Sequence, residues 1–206
     1  MNGENQQEIE RKYDVDESAA VPALTSVPGV ARTENAGVHI LEAVYFDTAD
    51  GDLGRRRIAV RRRRGGHDAG WHVKRSTAEG RFEQQWPLGA DEDAPAEVRA
   101  LLDEACGAPV ELSPLAELTT TRTITLLHDA AGVAVIELAD DRVTARDVRA
   151  AVERSWREWE AELLPGAPAD ADDAGGLLDA VEAVLLGAGA VVSTSPAKIA
   201  RALGLD

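Results

Sequence analysis

Charged side chains return at every second position in three separate stretches of this chain, and that period of two constrains the fold more than any other feature. Alternation of this kind belongs to an extended strand with two unlike faces. In "EIERKYDV" Glu8, Glu10, Lys12 and Asp14 share one face, and Ile9, Arg11, Tyr13 and Val15 the other. In "RRRIAVRRRR" Ile58 and Val60 oppose Arg57, Arg61 and Arg63, while Arg62 and Arg64 carry the apolar face on into solvent. In "EWEAEL" Glu158, Glu160 and Glu162 oppose Trp159, Ala161 and Leu163. If the apolar faces pack on helices, the charged faces must look into water or into a cavity.

The remaining segments fit such a sheet. "GVHILEAVYFDT" (37–48) is rich in β-branched and aromatic residues. Residues 55–64, the turn "GGHDAG" and "WHVKRS" predict a hairpin, with "GRFEQQWPL" (80–88) as the next strand. Over 91–107 the period becomes helical, through Val98, Leu101, Leu102 and Ala105, with Pro95 near the start and Gly107 at the stop. Strands resume at 118–127, 133–141, "RVTARDV" and 154–164; 165–176 reads as a loop, and two helices, "LLDAVEAVLLGAG" and "PAKIARALGL", follow. The expectation is a mainly β (α+β) fold, an antiparallel barrel, closed or nearly so, of about eight strands under helical cover. A chain of 206 residues suits one domain over 1–206, with barrel strands at about 7–164 and closing helices at about 174–204.

Charge narrows the partners. A net charge of −15 argues against general nucleic-acid binding. Between Arg55 and Phe82, however, ten Lys/Arg face only Asp68 and Glu79; that window carries +8 and leaves −23 for the rest of the chain. One concentrated basic segment in an acidic protein suggests a local anion site. A single cysteine, Cys106, excludes an internal disulfide and suits a reducing cytosol. No apolar run approaches the roughly 20 residues of a membrane helix, and "MNGENQQ" lacks a signal-peptide layout. A cytoplasmic protein without a membrane partner is expected. His39, His67, His72 and His128 have no zinc spacing, though His72 shares its parity with Lys74, and no phosphate-binding GxxxxGK[ST] loop is present.

Carboxylates alternating along one strand repel by roughly 1 kcal/mol per pair at 4 Å in water, and by several-fold more at lower dielectric. Bringing Glu8 and Glu10 together with Glu158, Glu160 and Glu162 requires cations. Mg²⁺ or Mn²⁺, hard ions that leave positions for phosphate oxygens, fit such ligands. Lys74, Arg81 and Arg122 extend the basic wall of Arg61 and Arg63; Arg forks take phosphate oxygens bidentately and Lys acts as a point charge. Each stretch taken alone is equally a wet sheet face. Together they describe a barrel suited to a linear polyanion carrying divalent metal, and phosphoryl transfer needs little more.

The ordered motifs resemble the CYTH superfamily, the triphosphate tunnel metalloenzymes. Its hallmark Glu-x-Glu-x-Lys is matched by Glu8, Glu10 and Lys12, followed in family order by "YFDT" (45–48), "AVRRR" (59–63), "WHVK" (71–74), "RFE" (81–83), "TTR" (120–122), "IELADDRV" (136–143), "EWEAEL" (158–163) and the closing "SPAKIARAL" (195–203). The resemblance implies an eight-stranded antiparallel barrel forming a tunnel open at both ends. It implies that Glu8, Glu10, Glu158 and Glu160 hold divalent cations. Lys12, Arg61, Arg63, Lys74, Arg81 and Arg122 would contact the triphosphate, with Lys198 a further candidate. Glu83, Glu137 and Asp141 match acidic family positions that complete the metal site or balance the basic wall; Glu162 stands beside them, and Asp140 competes with Asp141 for its position.

The function this implies is a divalent-metal-dependent hydrolase of linear triphosphates, with Glu8, Glu10, Lys12, Glu158 and Glu160 as the catalytic group. Inorganic tripolyphosphate is the first choice of substrate, because no aromatic clamp for a base or thiazole ring is evident. Thiamine triphosphate or a nucleoside triphosphate, an adenylyl cyclase reaction, and a non-catalytic polyphosphate-binding module are the alternatives. A small-molecule triphosphate is the expected partner, and the chain is expected as a monomer or homodimer.

Overall fold

The alternating stretches fold as strands of one antiparallel sheet. The structure, a computed structural model, describes residues 6–78, 80–90 and 92–205; the opening residues 1–5, Glu79 and the expected helix start at Asp91 lie outside the described residues. In chain order the elements are β1 (Gln6–Gln7), β2 (Glu10–Asp14), β3 (Arg32–Asp47), α1 (Asp52–Arg55), β4 (Ile58–Arg64), β5 (Gly70–Thr77), β6 (Gly80–Pro87), α2 (Ala96–Cys106), β7 (Ser113–His128), β8 (Ala134–Asp147), β9 (Val152–Leu163), α3 (Ala171–Gly187), β10 (Val191–Val192) and α4 (Lys198–Leu203). The sheet order is β1-β6-β5-β4-β3-β7-β8-β9-β2-β10.

The first and ninth places in that order belong to one short run of chain, and this is what makes the sheet a barrel. β1 pairs with β6, and β2 pairs with β9. Between them the Glu8 N–H donates to the Arg81 carbonyl at 3.2 Å, and the Ile9 carbonyl accepts from the Leu163 N–H at 3.0 Å. No single strand bridges both edges; residues 6–14 do so in two pieces, and the lumen lies inside the ring.

Period two then sorts every strand into an outer and an inner face. Outside, α3 lays Leu178, Val181 and Leu185 on Tyr13, Ile136, Leu138, Trp159 and Ala161. On the other flank α2 packs Val98 and Leu102 on Ile58, Val60, Trp71, Val73 and Trp86. Full burial of each such side chain is worth about 1.5–3 kcal/mol, so the faces cannot be exchanged cheaply and the register is fixed. Inside, Ala43, Tyr45, Ala116, Leu118, Val143, Ala145 and Trp156 form an apolar layer against Ala59, Ile199, Ala202 and Leu203. α4 therefore occupies one end of the interior, the second opening that the resemblance implies. The rest of the lumen is a charged chamber with an apolar floor.

Several boundaries differ from the sequence reading. Residues 55–57 are not strand: Asp47 accepts the backbone N–H groups of Thr48, Leu53 and Gly54 at 2.7, 3.0 and 3.1 Å and winds 52–55 into α1. The two expected strands within 133–147 are the single strand β8. α3 begins inside the expected loop because the Asp170 carboxylate caps it, accepting from Asp172 N and Asp173 N at 3.0 and 3.3 Å, which outweighs Gly175 and Gly176 in its first turns. Arg62 and Arg64 leave the apolar face as expected but meet Glu92, at 3.3 Å for Arg62 and 2.9 Å for the Nε of Arg64, rather than open solvent. Cys106 is half-buried against the α2 cluster.

Candidate functional site

Strand pairing sets the chamber's wall out as rows. Across β2, β9 and β8 the first row is Glu10–Glu162–Glu137, the second Lys12–Glu160–Ala139 and the third Asp14–Glu158–Asp141, which β7 extends with Arg122. Residues directly opposite stand with Cβ atoms about 4.5–5.5 Å apart, close enough for like charges to destabilise the pairing. The opposite wall carries Arg61 and Arg63 on β4, His72 and Lys74 on β5, and Arg81 and Glu83 on β6. Arg63 stands opposite Ala43 of the apolar layer in the β3–β4 pairing.

The third row and Glu160 are balanced by cations. Arg122 grips Asp141 with two hydrogen bonds of 2.8 and 2.6 Å and reaches Glu160 at 2.7 Å. Lys12 pairs with Glu160, and with Glu10 at 2.9 Å. The Lys198 ammonium, from the first turn of α4, stands 2.9 Å from Asp141 and 2.6 Å from both Glu158 and Glu160. Asp141, Glu158 and Glu160 offer oxygens within 4.8 Å of one another, the one such set of metal-ligating groups among the described residues. Burial would pull the Lys198 ammonium down, but Asp141, Glu160 and Glu158 hold it above its ordinary value. Burial pushes Glu158 up; the Trp156 indole N–H donates to it at 2.6 Å.

The first row is not balanced. Among the described residues the Glu162 side chain has neither ion pair nor hydrogen bond. Burial, then Glu10 across the strand pair, push it up to about 7. Glu137 has only Arg122, at 4.0 Å. Glu10 is better served, by Lys12 and by Arg81 at 3.2 Å. Glu8 meets Lys74 at 2.6 Å, yet burial and a hydrogen bond with Glu83 push it up to about 7.

The basic wall has the opposite shortage. Arg61 reaches Glu83 and the Tyr45 hydroxyl only at 3.4 Å. Arg63, 4% exposed, contacts Asp68 of the β4–β5 turn. The Nε groups of both are buried without a hydrogen-bond partner among the described residues. Burial, then Arg61 and Arg122, pull Arg63 down to about 9. His72 is fully buried between the Glu83 carboxylate at 2.7 Å and the Asp68 carbonyl at 2.9 Å; burial drives it down to about 4 against the Glu83 contact, which raises it, and a neutral ring donates to only one of these two acceptors.

Every sequence-derived candidate therefore faces the same chamber, but not in one cluster. Glu8, Glu83 and Glu137 lie outside the trio that includes Glu158 and Glu160, while Glu10 adjoins it through Lys12, which pairs with both Glu10 and Glu160. Lys198 points at carboxylates. Asp141 is the buried, inward group, whereas Asp140 faces outward and is held by Arg157 through two bonds of 2.8 Å. The sequence reading passed over Asp14, bound to Arg201, and Trp156; both share the parity of their charged strand neighbours, which was the available signal. Tyr45 stood in the "YFDT" match without a role assigned to it, and Asp68, in the β4–β5 turn, has no strand parity to read.

A family model described as the CYTH domain matches residues 6–188. Two uncharacterized proteins, from two strains of Mycobacterium tuberculosis, are 40% identical over 96% of this chain, and the chain spans only 40% of their length. Among solved structures, a provisionally named adenylate cyclase of Bacillus halodurans aligns with a TM-score of 0.65 at 18% identity, over 96% of this chain and 97% of that one. A Hippeastrum protein, provisionally named an adenylyl cyclase and described as having a dominant triphosphatase activity, aligns with a TM-score of 0.58 at 18% identity, over 97% of both chains. These likenesses establish the fold.

Proposed function

The chain belongs to the CYTH domain family, and on that premise we propose that it is a divalent-metal-dependent hydrolase of linear triphosphates, with inorganic tripolyphosphate as substrate. One observation carries this reading: the chamber holds a buried guanidinium, Arg63, whose Nε has no hydrogen-bond partner among the described residues although Asp68 stands beside it, and a half-buried carboxylate, Glu162, with no ion pair among them. A ligand that is itself an anion carrying a metal satisfies both at once, whereas an anion alone would leave the Glu10–Glu162–Glu137 row in repulsion.

Glu8, Glu10 and Glu162, with Glu137 beside them, are hard oxygen donors that fit Mg²⁺ or Mn²⁺. When bound there, the ion supplies charge neutralisation and polarisation of phosphate oxygens. Arg61, Arg63, Lys74 and Arg81 hold the phosphate chain, the arginines through the N–H groups that now lack acceptors. Lys12 and Arg122 fix Glu10, Glu160 and Asp141 against them. A carboxylate of the acidic row orients a water at the terminal phosphorus and takes its proton as the new P–O bond forms. The bridging oxygen leaves with pyrophosphate. The absence of large unpaired aromatics among the inward groups named above favours a substrate without a base.

Phosphate release from tripolyphosphate, ATP and thiamine triphosphate, each with Mg²⁺ or Mn²⁺, tests the reading, and tripolyphosphate is expected to turn over fastest. Glu10→Gln is expected to lose metal-dependent turnover with its fold intact. Tight polyphosphate binding without release of phosphate from any of the three would leave a binding module. Cyclic AMP and pyrophosphate from ATP would make it a cyclase.

A further inference from the structure

The β4–β5 turn carries a carboxylate into the basic wall. Asp68 pairs with Arg63, the most deeply buried cation of that wall. The main chain of the turn is held independently of this pair. The Asp68 carbonyl accepts from the Gln85 side chain at 2.9 Å and lies 2.9 Å from the His72 ring nitrogen. A side chain at Gly65 would collide with the Ile40 carbonyl, so the turn is pressed onto β3 as well as tied to β5 and β6. What can move is the carboxylate. The Asp68 side chain is 31% exposed, against 5% for Arg63. Water can therefore take up the acid when it lets go, whereas the guanidinium stays buried and needs an acceptor.

Arg63 is one of the groups assigned above to the phosphate chain, and Asp68 is the acceptor that the fold gives it. A phosphate oxygen arriving there meets a negative charge already in contact, and like charges side by side oppose binding. We propose that Asp68 is an internal competitor for the phosphate chain: it holds Arg63 until an anion that engages several cations of the wall at once displaces it. A tripolyphosphate reaches Arg61, Lys74 and Arg81 as well and offsets the cost of displacement. Orthophosphate, with one phosphoryl group, does not, and the wall stays closed to it. The proposal deepens the hydrolase reading and rests on it only for the identity of the anion.

The experiment titrates the full chain calorimetrically with orthophosphate and with tripolyphosphate in EDTA, where binding is read without turnover. Asp68→Asn keeps the shape and the main-chain carbonyl, and is expected to bind both anions roughly threefold to tenfold tighter than the wild type. Its melting temperature should rise more with orthophosphate than that of the wild type. In an Arg63→Met background the same substitution should change neither affinity. Should Asp68→Asn not fold, Asp68→Ala is expected to give the same tightening. Equal or weaker binding in the folded variant would mean that Asp68 positions Arg63 instead of competing for it, and would overturn the proposal. So would equal tightening in the Arg63→Met background, or no binding of either anion to either protein. Tightening in a chain that hydrolyses none of the three triphosphates with Mg²⁺ or Mn²⁺ upholds the competitor and defeats the hydrolase reading. Turnover with affinities unaltered by Asp68→Asn does the reverse.

Discussion

Replacing Glu162 by Gln should stabilise the metal-free protein at alkaline pH, although it removes a charged group from the candidate site. The Glu162 carboxyl is pushed up to about 7 from an ordinary 4.5, first by burial and then by Glu10, with Glu160 and Glu137 adding to it. A carboxyl raised in the folded state binds its proton more tightly there than in the unfolded chain. Stability therefore falls as pH rises from 4.5 through 7, and the full penalty is present above 7. At about 1.36 kcal/mol per pKa unit the ceiling is about 3 kcal/mol; partial exposure and solvent screening reduce this to roughly 1–2 kcal/mol. For a chain of this size that corresponds to about 3–6 °C in melting temperature. Melting curves in EDTA should thus show Glu162→Gln above the wild type by that margin at pH 8 and level with it near pH 4.5. Excess Mn²⁺ should raise the wild type more than the variant, since the ion relieves a repulsion that the variant no longer has. A Glu162→Gln protein less stable than wild type at pH 8 in EDTA would refute the unbalanced row.

The remaining expectations probe the other wall and the scaffold. His72, driven down to about 4 by burial, favours folding in its neutral form, so stability present above pH 6.5 should be lost as pH falls toward 4, by at most about 3 kcal/mol. Because Glu8 and Glu162 act in the opposite direction over this range, the check is a difference: the urea midpoint of wild type relative to His72→Gln should fall from pH 7 to 4.5. Arg63→Met should weaken inorganic tripolyphosphate binding at least tenfold, the value of one charged hydrogen bond, while leaving the melting temperature unchanged or higher, because burial and the neighbouring Arg61 and Arg122 oppose the guanidinium charge more than Asp68 offsets it. Calorimetric titration paired with a melt checks both halves. Asp47→Ala leaves three backbone N–H groups without their acceptor and should cost about 2–3 kcal/mol, with hydrogen exchange accelerated first at Leu53 and Gly54.

The barrel was legible because its strands must choose faces. Where apolar side chains alternated with charge, as in 8–15, 58–64 and 158–163, the structure put the apolar set under a helix and the charged set inside, with Ile9 the exception at 47% exposure. What escaped was set by partners distant in sequence. Asp47 makes α1 by reaching forward to backbone groups at 53 and 54, so residues 55–57 look like more of the arginine strand until that carboxylate is placed. Asp170 starts α3 within a stretch whose Ala, Asp, Pro and Gly content reads as loop. Period two by itself settles neither.

The chamber shows the same division more sharply. Parity alone puts Glu158, Glu160 and Glu162 on one face, and nothing in the strand separates their roles. Separation comes from what each meets across the sheet. Glu160 faces Lys12, Glu158 lies between Asp14 and Asp141 beneath Lys198, and Glu162 lies between Glu10 and Glu137. Two of the three thus have cations in contact supplied by the fold, one of them from a helix that follows β9 by more than thirty residues, and the third has only Lys74, acting from beyond ion-pair distance. A strand that looks uniformly acidic is therefore a graded one: its deep end is neutralised by the protein itself, and its outer end is left for a ligand to neutralise. Under the hydrolase reading proposed above, that gradient, rather than the number of carboxylates, would decide where a metal-bearing anion gains most by binding.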